Sequence, residues 1–279
     1  MKIKRSVDPS QTTLLRRQFI VSMNRRFDDV KLAVRELFAE DMEEFKIADN
    51  ATKVALFRKW LTDQINTKIL IMTNGLNRKL WTSVYVTNAY YKGILRAYND
   101  VNMAGNVLDN INWFGGAENQ FLKDVMRLTP IISQIEFLEI RVSNLLQGVT
   151  DDMLNKMSWI FANSISKDEN KSKTVYALEK VINKVSKKRA KLIAIAEIVH
   201  AQAEGQLDGF ELLGVDEVDT VVELLTTKRH TVCPICRKLE KGTFEVKKAR
   251  GIIPFHPLCK CAWSMYTSKF QLKRKVKFT

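Results

Sequence analysis

No cysteine occurs before residue 233 of this 279-residue chain, and histidine occurs only three times in it. No stretch approaches the roughly 20 consecutive apolar residues that cross a bilayer. The longest candidate, Leu192 to Ala203, is broken by Glu197 and His200. Neither a spanning helix nor a membrane partner is expected. The opening Met1-Lys2-Ile3-Lys4-Arg5 has no apolar segment of the kind that marks a secretory leader, so synthesis in a reducing cytoplasm is expected. There is no internal repeat and no low-complexity linker. Hydrophobic residues nevertheless make up 46% of the chain, which excludes general disorder and suffices for the core of one or two domains.

Acidic residues are missing from the C-terminal end. None follows Glu245, while the last eleven residues carry Lys269, Lys273, Arg274, Lys275 and Lys277. The N-terminus concentrates Lys2, Lys4, Arg5, Arg16, Arg17, Arg25 and Arg26. Between the two ends lies an acidic stretch of Glu204, Asp208, Glu211, Asp216, Glu217, Asp219 and Glu223. Any one run reads equally well as a solvated face. Two basic ends in a chain of net charge +14 favour a polyanionic partner, and nucleic acid above others. No base-reading motif is present, so the expected contact is to phosphates without sequence preference, with the five tail cations as its candidate residues.

All four cysteines fall in one 29-residue stretch: Cys233, Cys236, Cys259 and Cys261, with His256 among them. A CxxC turn presents two thiolates to one point, and a second thiol or imidazole pair completes a tetrahedron. Free core cysteines and disulfides are the competing readings. Four unrelated cysteines rarely gather so closely, and a reducing compartment disfavours disulfides. Structural zinc is the expectation, with Cys233, Cys236, His256 and either Cys259 or Cys261 as ligands; His230 is a weaker substitute. A zinc deaminase needs His-x-Glu ahead of its Pro-Cys-x-x-Cys, and the nearest candidate here is His200-Ala201-Gln202, which lacks the carboxylate. A nuclease of the HNH type needs further histidines, and three in all is a thin supply. A closed site therefore fits better than an open, catalytic one.

Most of the chain has helical periodicity. Leu15, Phe19, Met23, Phe27, Val30, Val34 and Phe38 recur every three or four residues, predicting one long amphipathic helix after the turn Asp8-Pro9-Ser10, with Arg16, Arg17, Arg25 and Arg26 off its apolar stripe. That stripe suits a bundle core. Val54, Phe57, Leu61 and Ile65 mark a second helix, and a third runs from about Trp81 to Tyr98. Glycines and Pro130 place a loop-rich connection at about 101–130. Helices resume over about 136–147. Gly148 and Thr150 then read as a stop and a restart, followed by helices at about 150–166, 173–186 and 188–213, the last capped by Gly214. Val218 to Leu225 and Thr243 to Val246 read as strands. The expected fold is mainly α. A helical, bundle-like region over 1–149 precedes an α+β domain over 150–268, which has a few short strands and a zinc-pinned loop and should fold alone. Residues 269–279 form a basic tail.

One segment carries a resemblance. Arg189-Ala190-Lys191-Leu192-Ile193-Ala194, Glu197 and Gly205 lead into Val232-Cys233-Pro234-Ile235-Cys236, Leu239 and Gly242, and then Pro254-Phe255-His256-Pro257-Leu258-Cys259-Lys260-Cys261. In order and spacing this resembles the Mu F-like minor head (head morphogenesis) domain of tailed bacteriophages. The match covers about residues 150–266, with a looser likeness upstream. It departs from the family pattern where Ile195-Ala196 replaces Arg-Thr, at Lys228-Arg229-His230, and at Leu258 and Lys260. The resemblance implies a non-enzymatic minor capsid protein of the virion, assembled in the host cytoplasm and placed in the capsid interior or at the portal vertex. Its implied partners are the portal protein, the major capsid or scaffolding protein, and viral double-stranded DNA. A zinc-dependent nuclease or other DNA-processing enzyme is the alternative.

Overall fold

The structure is a computed structural model, and it describes residues 8–40, 45, 47–70, 80–104, 118–214, 221–227 and 232–266. It is mainly helical, with one small sheet near the C-terminus. The described elements are α1 (Thr13–Ala39), α2 (Asn50–Lys68), α3 (Ser83–Ala104), α4 (Glu118–Val125), α5 (Thr129–Ser166), α6 (Lys171–Lys180), a π-helical segment (Val181–Ser186), α7 (Lys187–Leu212), β1 (Val221–Leu225), α8 (Pro234–Lys238), β2 (Thr243–Phe244), α9 (Val246–Ala249) and β3 (Ala262–Tyr266). The expected fold class is the one observed.

Described residues fall into two compact units. One draws on Met1–Arg17, Val84–Glu139 and Ile195–Thr279, the other on Gln18–Ser83 and Ile140–Ala194. In the second unit the predicted stripe of α1 is core: Phe19, Met23, Phe27, Val30 and Val34 are buried. Phe57, Leu61 and Ile65 of α2 and Met153, Met157 and Phe161 of α5 are buried as well. Phe161 stacks on Phe57 at 4.3 Å between ring centroids. Trp81 meets Phe19 edge-on, and the Arg26 guanidinium lies over the Trp81 ring. These tryptophan contacts are packing.

In the first unit α3 and α7 cross in direct backbone contact. A Cβ on Gly93 would lie 2.1 Å from the Gln202 carbonyl oxygen, and one on Gly205 would lie 2.2 Å from that of Tyr90. Only glycine admits two backbones at that distance. The sheet has order β2-β1-β3 and is antiparallel throughout, with Val222 opposite Phe244 and Met265, and Leu225 opposite Ala262.

Several expectations are corrected. Gly148 does not stop a helix, since α5 runs unbroken through it. A mid-helix glycine costs about 1 kcal/mol relative to alanine, and burial of Leu146, Val149 and Met153 offsets that. The 149/150 boundary therefore lies inside a helix. The connection at 101–130 contains α4 and the start of α5, whose first turn accommodates Pro130 because its missing N–H has no helical partner there. The break expected after Ser186 is instead a π turn that carries α6 directly into α7. Arg16 is buried and paired with Asp8 at 2.7 Å, so it is not a solvated cation. Gly214 has φ 67° and caps α7, as its sequence position implied.

Candidate metal centre

The sheet brings the cysteines together. β1 ends at Leu225 opposite Ala262, which directly follows Cys261. The connection from β1 to β2 leaves from the same end and contains Cys233 and Cys236. It closes where the Lys241 N–H donates to the Leu224 carbonyl and the Leu224 N–H to that of Gly242. Two donor-bearing segments distant in sequence thus emerge at one end of β1.

Cys233 caps α8. Its Sγ accepts the Cys236 N–H at 3.3 Å, and Pro234 fills the first helical position. His256 begins a turn closed by the Cys259 N–H on its carbonyl at 2.9 Å. Its Nε2 lies 3.3 Å from Cys236 Sγ. The donor atoms of Cys233, Cys236 and His256 lie within 4.8 Å of one another, as do those of Cys236, Cys259 and Cys261. Cys236 belongs to both groups. The other four ligands named from the sequence therefore all lie close to this one sulfur, Cys259 and Cys261 alike. Cys236, Cys259 and Cys261 are buried. His230 and the tail residues Lys269, Lys273, Arg274, Lys275 and Lys277 lie outside the described residues.

The electrostatics of the cluster suit a cation. Burial, followed by the neighbouring Cys233 and Cys259, pushes the Cys236 thiol up to about 12. The Cys261 thiol, paired with Cys259 and buried, is also pushed up. Donation from Cys261 to Cys259 outweighs burial and brings Cys259 down to about 6. One thiolate is thus favoured and its neighbours resist ionising beside it. A divalent cation removes that conflict by neutralising several thiolates at once. The donors are sulfur and imidazole, which is the soft set that binds zinc-like ions.

Helix α7 holds this centre in place with buried polar side chains. His200 Nδ1 is 2.9 Å from the Ile253 carbonyl oxygen, at the base of the loop that carries His256. Gln206 Nε2 donates to the Trp263 carbonyl at 2.7 Å, and its Oε1 accepts the Trp263 N–H at 3.1 Å. The side-chain amide thus pairs with β3 as a strand would. Glu204 Oε1 accepts the Gly251 N–H at 2.8 Å, where Gly251 has φ 72°. Arg250 spans three carboxylates of the same helix face, reaching Asp208 and Glu211 at 2.6 Å and Glu204 at 3.4 Å. Tyr90 donates to Asp208 from α3. The N-terminal turn adds a further tie, with the Ser10 N–H donating to the Lys260 carbonyl at 3.3 Å between two of the cysteines.

The sequence reading missed this polar scaffold. Acidic residues at 204, 208 and 211 share one helix face, a signal that was present but read as part of an acidic run. His200, weighed only as a catalytic candidate, bonds to backbone. No family model matches the chain, and neither a curated protein nor a solved structure matches it. Among the described residues no helix is long and apolar enough to cross a membrane.

Proposed function

We propose that this chain is a minor head protein of the Mu F-like type. It acts in head morphogenesis and DNA packaging or ejection near the portal vertex of a tailed phage, with zinc in its Cys/His centre. The observation that carries this reading is the closure of the resembling segment onto one point. Its CxxC and its His-Pro-x-Cys-x-Cys, separated by a helix and a strand, place four other donors around Cys236. A motif matched by chance has no reason to close in that way.

Zinc in this reading fixes the loops between Cys233 and Cys261, a region with only short elements of its own. The three α7 carboxylates Glu204, Asp208 and Glu211 are engaged by Arg250 and so are not offered as free bases. That supports a structural metal over a nuclease. The portal protein, the capsid or scaffolding protein and viral DNA are the partners, the last bound through phosphates. Co-expression with the phage portal and capsid proteins tests this: the chain should co-purify with portal and appear in procapsids in low copy. Absence from both would overturn the assignment.

A further inference from the structure

Six cations and no acid occupy residues 180–191: Lys180, Lys184, Lys187, Lys188, Arg189 and Lys191. They lie on the continuous run of α6, the π segment and α7, within one compact unit. Two of the six anchor this run to its neighbours. Lys187 pairs with Asp28 of α1 at 2.5 Å, and Arg189 with Asp152 of α5 at 2.7 Å. Both carboxylates are already shared, Asp28 with Lys31 at 3.1 Å and Asp152 with Lys156 at 2.7 Å. The acids that reach the run are thus outnumbered by the cations around them. Lys180, Lys184, Lys188 and Lys191 are exposed, and among the described residues none of them forms an ion pair.

The spacing puts these four in a row. Positions four apart overshoot one α-helical turn by about 40°. The wider π turn at Val181–Ser186 rotates less per residue and takes part of that drift back, so 180, 184 and 188 stay near one line with 191 beside it. The row is about 16 Å long at the helical rise, which matches roughly five phosphates along one strand of a duplex. We infer that this lysine ridge is a docking surface for the phosphate backbone of double-stranded nucleic acid. Duplex is favoured over single strand because a row of ammonium groups contacts phosphates, and the exposed Tyr176 one turn before Lys180 is one aromatic where a single strand needs a succession of them. The inference rests on the DNA contact proposed above and moves its site from the C-terminal tail to a rigid helix.

Two sets of substitutions in the full zinc-loaded chain test it: Lys180, Lys184, Lys188 and Lys191 all to Gln, and Lys269, Lys273, Arg274, Lys275 and Lys277 all to Gln. A third variant changes the four ridge lysines to Arg. Binding to a random-sequence duplex is followed by fluorescence anisotropy across a salt series. The ridge Gln variant should lose about three to four from the slope of log K against log salt, the Arg variant should keep the wild-type slope, and circular dichroism should be unchanged for both. If the ridge Gln variant keeps the wild-type slope while the tail variant loses it, the ridge is overturned and the DNA reading stands. If the wild-type chain binds no duplex, both fall, and procapsid incorporation then judges the head-protein reading separately. Binding to anionic phosphatidylserine vesicles and not to duplex would also overturn the proposal, in favour of a lipid surface.

Discussion

Cys236 is the one donor common to both halves of the cluster, and its neighbours are not equivalent to it. Cys236→Ser should abolish stoichiometric zinc and lower the thermal midpoint. Cys261→Ser leaves Cys233, Cys236, His256 and Cys259 and should retain metal. Zinc per chain by elemental analysis checks this, and equal loss in both variants would contradict the geometry. Glycines give a second contrast. Gly205→Ala drives a methyl group into the Tyr90 carbonyl and should cost about 3 kcal/mol. Gly148→Ala meets nothing within 4 Å in the middle of α5 and should stabilise by about 0.5–1 kcal/mol. Denaturant titration distinguishes the two. The metal ligands were legible in the sequence because thiol and imidazole spacing is itself the signal. Gly205 and Gly148 were not separable there, since their opposite roles depend on what a distant segment places beside them.

The N-terminal turn and the Arg250 clasp act as elements. Burial would raise the Asp8 carboxyl, but hydrogen bonds from Ser10 and Thr13 and the Arg16 charge outweigh it and hold it below the ordinary 3.8. A group lowered in the folded state stabilises fully above its unfolded value and loses that contribution as pH falls through the folded one. Asp8→Asn should therefore be less stable than wild type at neutral pH, and the difference should shrink as pH falls below the ordinary 3.8. Replacing Arg250 by Met strands Glu204, Asp208 and Glu211 together and should cost about 2 kcal/mol at pH 7, read by denaturant titration. Among elements, α1 was readable because its stripe repeats over several turns. β3 was not, because Ala262-Trp263-Ser264-Met265-Tyr266 is short and buried at four of its five positions, which erases the alternation that marks a half-exposed strand.

At the scale of the whole chain, the unit holding the metal centre is discontinuous in sequence. The half of α7 that carries His200, Glu204 and Gln206 packs on Tyr90 and Gly93 of α3. A second support, the turn at 8–13, bonds to Lys260. Residues 150–279 alone lack both supports and begin inside α5, so this fragment should fail to fold even with zinc, contrary to the expectation from the motif. The motif is contiguous in sequence, but its supporting elements come from elsewhere in the chain, and periodicity gives no information about such pairings.

The central claim is that the Cys/His cluster is a closed structural zinc site. Zinc-edge X-ray absorption on the full chain, purified under mild reductant, tests it most directly. The account predicts one zinc per chain with three sulfurs at about 2.3 Å, one imidazole nitrogen and no water oxygen. A first shell with an exchangeable oxygen, or a metal-free protein with its cysteines in disulfides, would contradict it.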